Sequence, residues 1–424
     1  MSEFKDVAVG TLLKLTSGFP FASSQFSNEG FPLIRIRDVL TSQTETYFRG
    51  TFPSGYIVKK GDILVGMDGD FHVVKWRGND ALLNQRVLKV DVQNESVIAL
   101  DYLFHWLGPF VKKVNDITAA TTVKHLSTRD LTKAKAKFPE VESQRKIAAI
   151  LTATDIAIEK TEALIDKYQQ IKAGLMHDLF TRGVLPNGQL RPPREQAPEM
   201  YQETAIGWIP REWRVAKLGT MAKIVSGVTL GSQESPTNTI DAPYLRVANV
   251  QDGYLDLAEI KTVRVSRKTL EYLRLLPGDV LMNEGGDFDK LGRGAVWAGE
   301  IEDCVHQNHV FRVRTAASVL QPHYLALYSE SSFGKKYFLL SSKQSTNLAS
   351  INSTQLNAYP IALPPNTEQH AIVMRLDGAN CRIDAMRIET EKLRAQKLGL
   401  MQDLLTGNVE VRMEKETATT EAAA

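Results

Sequence analysis

The stretches GDILVGMDGDF (Gly61–Phe71) and GDVLMNEGGDF (Gly278–Phe288) lie 217 positions apart and share six of eleven residues. Two further positions exchange one apolar side chain for another, Ile63 for Val280 and Val65 for Met282. Repetition decides how many similar folds a chain of 424 residues holds, and it extends well beyond this pair. VGTLLKLTSG from Val9 answers LGTMAKIVSG from Leu218, and PLIRIRDV from Pro32 answers PYLRVANV from Pro243. QRVLKV from Gln85 answers NHVFRV from Asn308, and LTKAKAKFP from Leu131 answers LNAYPIALP from Leu356. The last pair is KAGLMHDLFTRGV from Lys172 and KLGLMQDLLTGNV from Lys397, identical at eight of thirteen positions.

The offset between partners grows from 209 through 211, 217 and 223 to 225 at Leu131 and Leu356, and then stays fixed to Val184 and Val409. Each copy therefore has a front part that accepts insertions and a rear part that accepts none. Insertions fall in surface loops, where specificity is usually carried. A long packed helix cannot absorb one without turning its apolar stripe out of register. The rear parts carry that stripe, in steps of four and three. In the first copy it runs Ile147, Leu151, Thr154, Ile158, Thr161, Ile165, Tyr168, Lys172, Leu175, Leu179. In the second it runs Ile372, Leu376, Ala379, Ile383, Met386, Thr390, Leu393, Lys397, Leu400, Leu404. This is a coiled-coil seam. Lys172 and Lys397 interrupt it at the same step, a device suited to fixing register.

The front parts mix short β-type runs (FPLIRIRDV, QRVLKV, APYLRVANV, HVFRVR) with helical patches (LDYLFHWLGPFVKKV, QPHYLALYSES). The fold expected is α+β, two similar domains at residues 1–143 and 214–367, each followed by a long helix at 144–184 and 368–408. Residues 185–213, rich in Pro, Gly and Gln, read as a linker and not a core element. Residues 409–424, polar and low in complexity, read as a disordered tail.

Composition excludes several classes of function. No apolar run reaches the roughly 18 to 20 residues of a membrane span. The first residues lack the layout of a secretory signal. Only Cys304 and Cys381 occur, without a CxxC or Cys/His cluster, so a reducing, cytoplasmic setting without structural zinc is expected. Net charge is +2, so any nucleic acid must be held by local patches and not by bulk attraction. No Walker A sequence, G-x-G-x-x-G turn, G-x-S-x-G elbow or H-E-x-x-H pair is present. The pairs Asp68/Asp70 and Asp287/Asp289 lack the further carboxylates of a metal loop and read as structural carboxylates in glycine turns. A non-catalytic chain is expected.

The loops instead offer readout chemistry. Residues 112–137 hold seven Lys or Arg against two acids, around TAATTVKHLSTRD, and the matching SSKQSTNLASINSTQL (Ser341–Leu356) has no acid. Lys and Arg neutralise phosphates, while Arg, Asn and Gln can pair with base edges. By loop position and side-chain type, the candidate DNA contacts of the first domain are His72, Lys75, Arg77, Asn84, Gln85, Arg86, Lys124, His125 and Arg129. Those of the second are Asp287, Lys290, Arg293, Gln307, Asn308, His309, Lys343, Gln344 and Asn347.

The layout resembles the specificity (S) subunits of type I restriction-modification enzymes. IGWIPREW (Ile206–Trp213), IALPPNTEQHAIVMRLD (Ile361–Asp377) and the pair GLMHDLFT and GLMQDLLT carry the match. The first copy departs from the pattern. It begins near Phe4 without the Ile-Pro-x-x-Trp entrance, and AKFPEVESQRKIAAIL (Ala136–Leu151) keeps only part of the Leu-Pro-Pro-x-x-Glu-Gln element. The resemblance implies two target-recognition domains, each reading half of a split, asymmetric DNA sequence. It implies that the helices pair as an antiparallel coiled coil about a pseudo-twofold axis and set the spacing of the halves as a ruler. The implied partners are double-stranded DNA, two modification subunits that bind S-adenosylmethionine and methylate adenine, and two restriction subunits that use ATP and magnesium. No cofactor is expected in this chain. Two rival readings are a self-contained duplicated methyltransferase or nuclease, and a coiled-coil scaffold with two protein-binding domains.

Overall fold

The computed structural model describes residues 4–118, 124–231, 238–286, 291–344 and 349–411. Its α-helices are α1 (Leu100–Ile117), α2 (Thr128–Thr132), α3 (Val141–Thr181), α4 (Arg267–Leu273), α5 (Pro322–Glu330), α6 (Ser332–Ser341), α7 (Ser353–Asn357) and α8 (Asn366–Thr406). Both α3 and α8 are 41 residues long and start 225 positions apart, the offset fixed by the repeat. They begin and end two or three residues before the sequence-based bounds, because a proline precedes each start and a glycine follows each end. The chain forms two compact units, residues 1–163 with 387–424, and residues 164–386.

The first unit is built on a four-stranded antiparallel sheet ordered Leu13–Ser17, Val87–Val92, Ile63–Gly66, Val73–Lys75. A mixed five-stranded sheet flanks it, with a parallel pairing of Leu33 to Leu82. The second unit repeats the order with Ala222–Ser226, Val310–Thr315, Val280–Asn283, Gly294–Val296, and pairs Tyr244 with Val305 in parallel. Gly61-Asp62 and Gly278-Asp279, which open the twin stretches, make the same turn in each. Each glycine holds a positive φ, 96° and 91°, and each aspartate accepts the amide three residues before it, of Lys59 and Leu276.

Each unit contains the start of one long helix and the end of the other, packed side by side. In the first, Ile147, Ala148 and Leu151 of α3 share a core with Leu404 and Leu405 of α8. Lys397 of α8 pairs with Asp155 of α3 at 2.5 Å, and Arg394 with Glu162 at 2.7 Å. In the second, Met176, Leu179 and Phe180 of α3 share a core with Ile372, Val373 and Leu376 of α8. Start meets end, so the pairing is antiparallel. None of the seam positions read from the sequence is exposed. The two seam lysines find different partners, since Lys172 reaches Glu330 at the end of α5 at 2.8 Å.

A buried glutamine fastens each domain to its helix. Gln144 accepts the amide of Ala99 at 2.9 Å and donates to the carbonyls of Val97 and Pro139. Gln369, 225 positions on, accepts from Gln321 at 2.9 Å and donates to Val319 and Pro364. Both glutamines are fully covered. The segment 185–213 differs from its reading as a linker. Arg191, Tyr201, Ile209 and Trp213 are buried, and Tyr201–Thr204 pairs with Gly207–Pro210 as a hairpin. The reason is the buried carboxylate of Glu368, which accepts from Arg191, from Trp213 Nε1 at 3.0 Å and from the amide of Val184 at 2.7 Å. Residues from 412 of the expected tail lie outside the described residues.

Replacing Gln144 or Gln369 by Leu leaves two carbonyls and one amide without partners, each costing about 1–3 kcal/mol. A loss of at least about 2 kcal/mol is expected, read as a lower urea midpoint. A second test concerns pH. Burial lowers His105 and His306 to about 4 from 6.5, with Lys397 acting in the same sense on His105 and Arg312 on His306. The unfolded chain then binds protons that the folded chain refuses, so stability falls as pH drops from about 6.5 to about 4. His105→Gln removes part of this slope, up to roughly 3 kcal/mol, seen as a smaller gap between urea midpoints at neutral pH and near pH 4.

Candidate nucleic-acid interface

In each unit the strand of the twin stretch ends at a meeting of three chain segments. In the first, Met67 takes the carbonyl of Arg86 with its amide and gives its own carbonyl to Leu126. Asp68 then bridges to His125, and the Gly69 amide bonds Lys124. In the second, Glu284 bonds His309 with its amide and Ile351 with its carbonyl, the same two links. Gly285–Gly286 continues into a small sheet with Ala349–Ser350 and Lys343–Gln344. The turn-and-strand motif therefore delivers each glycine loop to the polar segment that follows α1 or α6.

Side chains complete the cluster. Asp68 holds His125 Nδ1 at 2.6 Å through one oxygen and Arg86 at 3.1 Å through the other. Glu284 holds His309 Nδ1 at 2.7 Å. Lys124 donates to the carbonyl and side-chain oxygen of Asn115 at 2.7 and 2.8 Å, which staples its loop to the end of α1. Arg293 donates to Gln251 at 2.8 Å and lies 3.5 Å from Asp252. Burial raises the Asp252 carboxyl against the pull of Lys335 and Arg293.

The sequence-based candidates thus divide. Arg86, Lys124 and His125 come together in the first unit, and His309 stands at the matching place in the second. Gln85 is exposed on its loop and Arg129 in the first turn of α2, and the Asn84 side chain accepts the Gln85 backbone amide at 2.8 Å. The backbone N–H groups of Gln307 and Asn308 donate to the carbonyls of Leu245 and Val228. His72 is half-buried and gives its carbonyl to the Gly66 amide. Lys75 and Arg77 turn toward the helices instead. Lys75 pairs with Asp101 at 2.6 Å and lies over the Phe104 ring, while Arg77 pairs with Glu159 of α3 at 2.8 Å. Lys343 is exposed, and of Gln344 only the backbone, in its short strand, is described. Asp287, Lys290 and Asn347 lie outside the described residues. Sequence reasoning missed Asp68, Glu284 and Asn115 as organisers of the cluster. The one signal available was the acid placed at each strand end, 68 and 284, within an otherwise basic or polar setting.

Among the described residues no group of three or more His, Cys, Asp or Glu is placed to hold a metal ion. Among them, too, no helix is long and apolar enough to cross a membrane. Two similar units, each with a histidine on a carboxylate where its twin strand meets two other segments, define a protein of duplicated domains. The family model described as "Type I restriction modification DNA specificity domain" matches residues 1–169 and 210–397. That is well over half of the chain, which belongs to this family, and its role is DNA sequence specificity.

Relatives agree along most of the length. The type I restriction enzyme EcoBI specificity subunit of Escherichia coli is 28% identical over 412 residues, covering 94% of this chain and 84% of the relative. The MjaVIII specificity subunit of Methanocaldococcus jannaschii is 27% identical, with 84% and 81% covered. The crystal structure of the S subunit from M. genitalium shares the fold at a TM-score of 0.56 and 13% identity, over 95% of this chain and 96% of that one.

Exposed cations and stapled ones are expected to behave differently on DNA. Arg129→Ala and Lys343→Ala weaken binding to all sequences alike, and each flattens the log K against log salt plot by about 0.9. Lys124→Ala instead releases its loop from Asn115 and lowers discrimination between sequences more than it changes the salt slope. Filter or fluorescence binding at several salt concentrations separates the two.

Proposed function

We propose that this chain reads a split, asymmetric DNA target, one half with each domain, and that α3 and α8 set the spacer between the halves. The observation that carries the reading is the recurrence of the same three-segment loop cluster in both units, behind two helices whose mutual offset never varies. The length differences between the copies lie in the front parts, where the second copy adds α4, as expected where the halves of a target differ. At ~1.5 Å per residue each helix is ~60 Å long. That is enough for half-sites about one helical turn, ~34 Å, apart.

The chain does no chemistry itself on this reading. It works in the cytoplasm, on double-stranded DNA, in a complex with two modification and two restriction subunits. S-adenosylmethionine, ATP and magnesium belong to those partners. EcoBI and MjaVIII, by their names, are specificity subunits of type I restriction enzymes, which supports assembly of this kind. Membership of a family whose role is DNA sequence specificity speaks against a protein-binding scaffold.

Methylation mapping of DNA from cells that express the chain with its cognate modification subunit tests the reading. A bipartite motif with adenine methylated in each half is expected. No chain-dependent methylation, with a verified partner present, would refute it. Deleting four residues within 153–173 is expected to change the preferred spacer or abolish binding while leaving both half-sequences alone. Exchanging residues 216–365 for another such domain is expected to change one half only. Unchanged spacing after the deletion would contradict the ruler.

A further inference from the structure

Both loop clusters contain a histidine whose Nδ1 lies against a carboxylate, His125 on Asp68 at 2.6 Å and His309 on Glu284 at 2.7 Å. The pairs do not follow from the repeat. His309 answers Arg86, and Glu284 answers Met67, so carboxylate and imidazole each come from a different position in the two domains. The same pairing has been reached by two routes, which points to a use for it.

The chemistry of the pair is restrictive. An ionised carboxylate can only accept, so Nδ1 must donate. In a neutral imidazole this places the proton on Nδ1 and leaves Nε2 as a bare acceptor. The layering is also the same in both. The side chains of Asp68 and Glu284 are 21% and 28% exposed, those of His125 and His309 52% and 57%. The carboxylate lies beneath, and the imidazole stands over it toward solvent. A bare carboxylate would repel phosphate, and the covering ring screens it.

We propose that Nε2 of His125 and Nε2 of His309 each accept a hydrogen bond from an exocyclic amino group on a base edge. In the major groove these donors are adenine N6 and cytosine N4. Asp68 and Glu284 are then positioning residues that fix the Nδ1–H tautomer, in which Nε2 of the neutral ring is the acceptor, and Asp68 also steadies Arg86 beside its histidine. The inference rests on the split-target reading, with one such contact in each half.

The test uses the chain assembled with its cognate modification subunit, with motif mapping and competition binding to targets altered base by base. His125→Leu and Asp68→Ala are expected to relax one position of one half, discrimination there falling about tenfold. The other half stays as it was. His125→Gln, whose side-chain oxygen can stand where Nε2 stood, keeps the preference. His309→Leu and Glu284→Ala do the same in the other half. The relaxed position names adenine or cytosine as the donor.

Methylating complexes of His125→Leu and His309→Leu with unchanged motifs would overturn the proposal. So would loss of both halves together, the mark of a structural role. Should one domain's variants not assemble, the other domain's pair and His125→Gln decide the matter. Absence of any motif with the unaltered chain is a different result, which refutes the split-target reading itself.

Discussion

The architecture depends on two buried side-chain amides. Gln144 and Gln369 each satisfy one amide and two carbonyls where a recognition domain meets the first turns of its long helix. Backbone groups enclosed at such a junction cannot turn to water, so an unmet one is costly. Glutamine is suited to the place because one planar group supplies both an acceptor and two donors. The bonds also fix an angle. The segment entering α1 or α5 is tied to the start of α3 or α8, so the domain's loops hold a set direction relative to the helix that carries them.

That constraint explains what the sequence revealed. A clamp and a packed seam forbid insertion, hence the constant offset of 225 from Leu131 onward. The sheet in front of the clamp has no such limit at its loops, hence the drift from 209 to 223. The duplicated order of strands follows from the same pattern, since β-type runs with matched turns leave little choice of partner. Apolar periodicity sufficed for the helices to within three residues at each end.

The loop clusters were legible only in kind. Basic and amide side chains in loops announce contact with nucleic acid, but their partners depend on which distant segments the fold brings together. Lys75 and Arg77 are candidates by loop position, and nothing in the sequence shows that Asp101 and Glu159 stand beside them on helices. Asp68 looked like a turn residue, and it is the group that gathers Arg86 and His125. Composition misled at 185–213. Proline and glycine suggest a strand of chain with nothing to bury, yet Arg191 lies in the core because a carboxylate 177 positions away is already there.

That carboxylate shows how the copies have come to differ. At the place of Glu368 the first copy has Ser143, and at the place of Trp213 it has Phe4. Each aromatic covers a glycine just after a long helix. A Cβ on Gly183 would come within 2.5 Å of the Trp213 ring, and one on Gly407 within 2.8 Å of Phe4. The close approach is common to both units, and the charge is not. A buried carboxylate is tolerable only when its oxygens are fully engaged. The second unit can engage them, because Arg191, the Val184 amide and the Trp213 indole converge there. Bonds to Glu368 and Glu212 hold the Arg191 guanidinium above its usual range even though burial works against its charge. Phenylalanine has no N–H to offer, and no arginine among the described residues bonds Ser143. A glutamate there would be left with a charge and too few donors, so the first unit closes the same junction with a small hydroxyl.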